Sequence, residues 1–328
     1  MLRSDSTTTR WAQGGTAALP AARSSASAPQ RPGRRRVSSN NGGRPGVVWA
    51  FPGIAVFVLF AVVPMAGVAY LSLTSWDGLT DPQFIGLDNW RRLVQDDTVK
   101  ASFIVTIVLL VGNIAVQAPI SILLGAWSAG FQRNRAILNA VFFAPLLLST
   151  AACAIAWRQL LDPNFGIPSK LEWLFESNLL GSQKSALCVI ILVTSWQFIP
   201  FHALLYQAGA RAIPESLYQA ASIDGAGIVR QFFHITLPQL RNTIVTSTTF
   251  MVVGGLTAFD IILVLTNGGP GTDTSILPFL MYQQAFRAYD MGYASAIALL
   301  LLVLATTVSV ALVRLSGYDK MQSTLEGL

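Results

Sequence analysis

Asp260 is the one acid inside a long apolar run, "VVGGLTAFDIILVLT". At mid-membrane an aspartate is disfavoured by roughly 2.5–3.5 kcal/mol on insertion scales. Such a residue needs water, a pairing group or a solute beside it. It stands about 7.5 Å from the outer end of its run at the helical rise, close enough for external water to relieve much of that cost. Solute contact and a reach toward the interface therefore remain equal readings. Trp196, Gln197 and Phe201 sit at i, i+1 and i+5 of another apolar run. That combination suits a sugar, because apolar ring faces stack on aromatics while hydroxyls need an amide; packing or lipid contact is the commoner use of such aromatics. Asn113 and Gln117 lie one helical turn apart, with Pro119 after them, and read as a path or as glue between helices.

Motifs for bond-making chemistry are missing. No G-x-x-x-x-G-K-[ST] phosphate loop occurs; "GSQKS" at 181–185 lacks the glycine before lysine. There is no H-E-x-x-H, no Cys-x-x-Cys and no nucleophile elbow, and the histidines are His202 and His234. His202 reads as a packed helix residue before a proton relay. Cys153 and Cys188 fall in apolar runs and behave as small hydrophobes, so neither a disulfide nor a metal site is expected. The chain is expected to catalyse nothing, and to bind no cofactor.

The elements that must position these side chains are membrane helices. Hydrophobic residues make up 52% of the 328, and charged residues only 12%, about half the share of a soluble protein. Six stretches are long enough to span a bilayer: 47–73, 102–130, 136–157, 185–210, 243–265 and 291–314. Residues 1–45, rich in Ser, Gly, Pro and Arg, are expected to be a disordered tail. Residues 46–316 form the six-span domain, with a core from about 100, and 317–328 a short second tail. The first apolar run is full length, which predicts a retained anchor.

Eight of the 22 basic residues are arginines in the first 45 positions, so the net charge of +6 is local and no nucleic-acid module accompanies it. Alternating the loops across the bilayer places fifteen bases against five acids on the side of the N-terminal tail, while the other three loops are acidic. Both termini are therefore expected in the cytoplasm of a multi-pass cell-membrane protein. Trp90, Trp173 and Tyr282 are expected as interfacial anchors in the external loops. No internal repeat supports an inverted-repeat carrier.

The stretch "YQAASIDGAGIVRQFFHITLPQL" from Tyr218 is a polar island on the cytoplasmic side. Pro214 suits the first position of a short helix, with Leu217, Ala220 and Ala221 on its apolar stripe and Asp224-Gly225 as its end. A second piece runs to Leu237-Pro238, where proline breaks it before the next span. An interfacial loop lying on lipid headgroups has similar spacing. The small residues Ala220, Ala221, Gly225, Ala226 and Gly227 favour close approach by another protein instead.

Gln219-Ala220-Ala221, three residues, Gly225, nine residues, Ile235, one residue, Leu237-Pro238 resembles the EAA loop of ABC-importer permeases. Glutamate is usual where this chain has Gln219. "VFFAPLLLSTAACAIAWRQLLDPNFGI", "SWQFIPFHALLYQAGARAIPESLYQAA", "AFDIILVLTNGGP" and "YQQAFRAYDMGYASAIALLLL" are similar to the sugar-type, MalF-like branch, so the likeness runs over nearly all of 46–316. It implies an all-α integral membrane protein with six transmembrane helices, the type I ABC importer permease fold and a cytoplasmic coupling helix. It also implies a second homologous permease subunit, two ATP-binding subunits carrying ATP and Mg, an extracytoplasmic solute-binding protein and alternating access.

On that resemblance Gln219, Ala220, Ala221, Asp224, Gly225, Ile235, Leu237 and Pro238 are expected to couple the chain to an ATPase, within an EAA loop at 214–240. At Gln219 an amide replaces a charge, so that contact is expected to be hydrogen-bonded. Spans four and five line the path in maltose-type permeases, which nominates Gln197, Phe201, Gly255, Thr257, Phe259 and Asp260. The expected cargo is a sugar or related polyol. An ion-coupled carrier or channel, an importer of another solute such as glycerol phosphate, and a membrane scaffold stand as rivals.

Overall fold

The computed structural model describes residues 47–130, 135–170 and 178–315. The chain divides into two units at Pro52, and the site lies wholly in the second, from Gly53 onward. The tails at 1–45 and 317–328 and the anchor Trp173 lie outside the described residues.

Four helices are long and apolar enough to cross a bilayer: Phe51–Leu71, Asp97–Ala129, Gln183–Arg211 and Met291–Arg314. Two further crossings are broken: Ala140–Leu147 with Thr150–Leu160, bent by 101°, and Arg241–Leu256 with Phe259–Thr266, bent by 44°. Numbered in chain order these are spans one to six. They match the six expected stretches, except that spans three and five are not continuous helices. The interruption in span three follows Pro145, and Ser149 starts the next helix by accepting a hydrogen bond from the Ala152 N–H at 3.2 Å. In span five the helix ends after Gly254-Gly255, residues that disfavour a helix interior.

Spans two and four pack along each other more extensively than any other pair. Gly125 allows that approach, since an added Cβ would stand 2.5 Å from Tyr206 Cβ and 2.7 Å from the Ala203 carbonyl oxygen. Side-chain hydrogen bonds join them as well: Thr194 Oγ1 donates to Asn113 Oδ1, which also accepts from Gln117 Nε2 at 3.1 Å. Behind the seam a core of Val105, Leu109, Ile190, Val193, Ile261 and Ile262 ties spans two, four and five together. Span one is apolar on every side, buries no residue, and packs along span six, as a lipid-facing helix should.

The end that carries residues 72–96 and 267–290 holds structure beyond simple loops. Thr74–Ser75 and Gln83–Phe84 pair as a short antiparallel hairpin, a strand element in a fold otherwise expected to be all helix. Its turn is closed by Asp77, whose Oδ1 accepts from the Leu79 and Thr80 N–H groups at 2.9 and 2.8 Å; those bonds pull its pKa down to about 2. The helix Asp88–Gln95 then clasps the start of span six. Arg92 donates to Asp290 at 2.6 Å and lies 3.9 Å over the Tyr293 ring, while the Tyr293 hydroxyl donates to Asp96 Oδ2 at 2.8 Å. Burial raises the Asp96 pKa, but the bonds from Tyr293 and Thr98 outweigh it and hold the carboxyl below its ordinary value.

Trp90 is half-buried against the Leu93, Leu277 and Tyr293 cluster. Tyr282 stands 5.1 Å from Phe259 in an aromatic row with Phe279. Both pack partly into protein and stay half-buried.

Candidate functional site

A cavity of about 480 Å³ opens where the interruptions of spans three and five meet the faces of spans two and four. The coincidence has a physical reason. Backbone that leaves its helix within a membrane must be satisfied by protein or must line a water-filled space. Thr257 satisfies part of the interruption in span five: its N–H and Oγ1 reach the Val253 carbonyl at 3.2 and 2.9 Å, and the Gly254 carbonyl at 3.3 Å each. Ser149 does the corresponding service in span three. Leu146 and Thr150 flank that interruption on the cavity wall.

The walls combine rings and hydrogen-bonding groups. Phe198, Phe201 and Phe250 line one side, with Phe201 edge-on to Phe250 at 5.8 Å and to His202 at 5.1 Å. Asn113, Gln117, Thr194 and His202 bring polar atoms, the first three linked by the Thr194–Asn113 bond between spans and the Gln117–Asn113 bond within span two. His202 Nδ1 is 2.9 Å from Ser247 Oγ, which fixes its ring across to span five. Asp260 opens the second half of span five, is exposed, and makes no hydrogen bond or ion pair among the described residues. Flat apolar faces beside amide, hydroxyl and carboxylate groups can hold a polyhydroxylated ring.

Phe201, Gly255, Thr257, Phe259 and Asp260 all border this cavity. Gln197 does not: it is 2% exposed, and its Nε2 donates to the Leu148 carbonyl at 3.2 Å beside the interruption of span three. It is placed to steady that interruption instead of to meet a solute. Trp196 turns away as well, edge-on to Trp157 at 5.6 Å. Thr194, Phe198, Phe250 and His202 were missed as lining residues. Helical spacing held the signal, since 194, 198, 201 and 202 fall on one face of span four, as do 250, 254 and 257 on span five. Asn113 serves as interhelical glue and as wall together, while Gln117 lines the wall and bonds to Asn113 within its own span.

At the opposite end, residues 212–240 form a small folded projection. Glu215–Ile223 is a helix with Pro214 as its N-cap, so it starts one residue after the expected first position at Pro214. It closes at Asp224, and Gly225 takes the left-handed conformation (φ 75°) while the Ala226 N–H returns to the Ala221 carbonyl at 2.9 Å. Gln231 ties the projection together, donating from Nε2 to Ser222 Oγ at 3.0 Å and the Ala226 carbonyl at 2.8 Å. Tyr218 OH and Thr236 Oγ1 lie 2.9 Å apart across it. The second helical piece runs Ile228–Gln231, continues through a wide turn at Phe232–Thr236 into Leu237–Gln239, and stops at Leu240.

Gln219, Ala220, Asp224, Gly225 and Pro238 are exposed on this projection, and Ala221, Ile235 and Leu237 are half-buried. Large apolar side chains share the surface: Ile223 is 88% exposed and Ile228 86%, an arrangement that suits contact with another protein or with lipid. The Gln219 Nε2 lies 3.4 Å from Glu215 Oε1, so a carboxylate sits one turn before the amide.

Residues 100–317 match the family described as binding-protein-dependent transport system inner membrane component. The multiple sugar-binding transport system permease protein MsmF of Streptococcus mutans is 34% identical over 268 residues, covering 79% of this chain and 90% of that one. The diacetylchitobiose uptake system permease protein NgcF of Streptomyces coelicolor is 29% identical, over 89% and 88% of the two chains. Among solved structures, a bacterial ABC transporter involved in the import of the acidic polysaccharide alginate aligns with a TM-score of 0.72 at 21% identity, over 83% of this chain and 95% of that one. That likeness is one of fold: six spans arranged as in a type I importer permease.

Proposed function

This chain belongs to the family of binding-protein-dependent transport system inner membrane components, and we propose that it is the permease subunit of an ATP-driven importer that moves a sugar or related polyol by alternating access. The observation that carries this reading is the cavity at the two helix interruptions, walled by aromatic faces and amide or hydroxyl groups. The names of the relatives, sugar and disaccharide permeases, support the same class of cargo.

In this reading the projection at 214–240 is cytoplasmic, as the excess of bases on its side requires. Gln219, Ala220, Ala221, Asp224 and Gly225 face a cleft in an ATP-hydrolysing partner, and Ile235, Leu237 and Pro238 carry the displacement into span five. Glu215 supplies the negative charge that Gln219 lacks. ATP and Mg are bound by that partner. A second permease subunit completes the membrane pathway, and an extracytoplasmic binding protein delivers solute to the end that carries the hairpin and the Asp88–Gln95 helix. Rigid-body motion of the spans, driven by closure of two ATPase subunits, would expose the cavity to each side in turn.

A cysteine placed at Ala220 should crosslink to the ATPase subunit in a transport-active complex. Uptake by proteoliposomes holding the assembled complex should need ATP and ignore an imposed proton or sodium gradient. Uptake that survives deletion of 214–227, or that follows the ion gradient, would overturn the proposal.

A further inference from the structure

We infer that the cavity is an electrostatic filter that admits neutral or cationic saccharides and turns away anionic ones, with Asp260 as the residue that sets the rule. The inference rests on the cavity being the solute path. Asp260 is the one residue carrying a full charge among its lining, where no lysine or arginine occurs. None of the ion pairs among the described residues involves this carboxylate. Arg158 of span three, a cation on a packed element, donates from Nη1 to the Val264 carbonyl at 3.3 Å and is not among the residues that line the cavity.

An anionic sugar would also look for backbone N–H groups at helix starts. The two helix starts on the cavity wall are already supplied with oxygen by the chain. Ser149 caps the helix Thr150–Leu160, and Asp260 itself places a carboxylate in the first turn of the second half of span five. The remaining polar wall, Asn113, Gln117, Thr194 and His202, offers amide, hydroxyl and imidazole groups, which suit hydroxyls, N-acetyl groups and amines. A uronate or a phosphorylated polyol would leave two negative charges facing each other in a cavity with a mostly apolar wall, where their repulsion is stronger than in bulk water. The fold is shared with an importer of an acidic polysaccharide, so the restriction belongs to these wall residues and not to the architecture.

The test places a cysteine at Thr257 in the full chain, assembled with its partners, with Cys188 changed to serine because it is exposed. The thiol is modified with a cationic and with an anionic methanethiosulfonate, each rate being divided by its rate on a free thiol. The cationic reagent is expected to be favoured by about tenfold or more, since Thr257 and Asp260 line the same cavity three residues apart in sequence. Asp260→Asn should bring the ratio close to one, and Asp260→Glu should keep it, which covers the case that the amide variant misfolds. A ratio near one or below with Asp260 in place overturns the inference.

Protection of Thr257→Cys by sugars forms the second arm. Maltose and the diamine chitobiose should slow modification, and digalacturonate should not. Protection by digalacturonate equal to that by maltose overturns the charge rule. Protection by none of the three counts against a saccharide path, while the reagent ratio still decides the electrostatics.

Discussion

Replacing Gly125 with alanine should weaken the seam between spans two and four by about 1–2 kcal/mol. The added methyl would stand 2.5 Å from Tyr206 Cβ, 2.7 Å from the Ala203 oxygen and 3.0 Å from Gln207 N. Carbon atoms rest at ~3.5–4.0 Å, so the helices must part by about 1 Å. Two of those neighbours are backbone atoms and the third is a Cβ, so no rotamer change gives relief. Overpacking of this kind costs typically 1–3 kcal/mol, and the better helix propensity of alanine returns up to about 1 kcal/mol. At roughly 2–4 °C per kcal/mol for a chain of this size, thermal unfolding of the purified protein in detergent should fall by roughly 2–8 °C. Gly112→Ala is the matched control, because its methyl meets Ile191 Cδ1 at 2.5 Å, the free end of a flexible side chain that can swing aside. It should leave the midpoint unchanged or slightly raised. Equal losses from the two substitutions, or none from Gly125→Ala, would refute the claim that backbone contact sets the spacing of this seam.

Gln231→Ala removes the two hydrogen bonds that hold the projection to Ser222 and Ala226. At about 1 kcal/mol each, their loss should lower ATP-driven uptake several-fold while sugar protection at Thr257→Cys stays unchanged. Phe201→Ala should raise the sugar concentration giving half-maximal protection by about three- to tenfold, the equivalent of about 0.5–1.5 kcal/mol for a lost aromatic contact. Asp96→Asn should lower the unfolding midpoint at pH 6 by an amount equivalent to about 1 kcal/mol, since Asp96 is partly exposed. The native carboxyl titrates below its ordinary value of 3.8, so its contribution is complete above about pH 4 and disappears as pH falls through the lowered value. The gap between wild type and variant should therefore narrow as pH falls below 3.8.

Hydropathy located all six crossings because each needs a long apolar run, whatever its neighbours do. It could not show that two of them bend, since the direction of a backbone leaves no trace in a sum of side-chain polarity. The local signs were present in Pro145 with Ser149 and in Gly254-Gly255, but each of these pairs is also tolerated within an unbroken membrane helix. The end of the Glu215–Ile223 helix was legible because Asp224-Gly225 is a local stop that needs no tertiary partner. Gln197 was misplaced for the opposite reason. Its partner, the Leu148 carbonyl, exists only because span three opens there, 49 residues away in sequence. The protein neighbours of Trp90 and Tyr282, the clasp and the aromatic row, were likewise not legible, because they come from segments distant in sequence.

The interruption at Thr257-Ala258 divides span five into parts with different attachments. The outer part is anchored by Ile261, Ile262 and Leu265, all within 2% of full burial. The inner part continues toward the projection through Leu240 and Arg241. The inner part is seated as well, with Val252 and Leu256 packed on Leu110. Two seated arms that meet at 44° make a hinge rather than a rod, and the joint forms part of the cavity wall. In the proposed cycle a change of that angle would reshape the space proposed for the cargo.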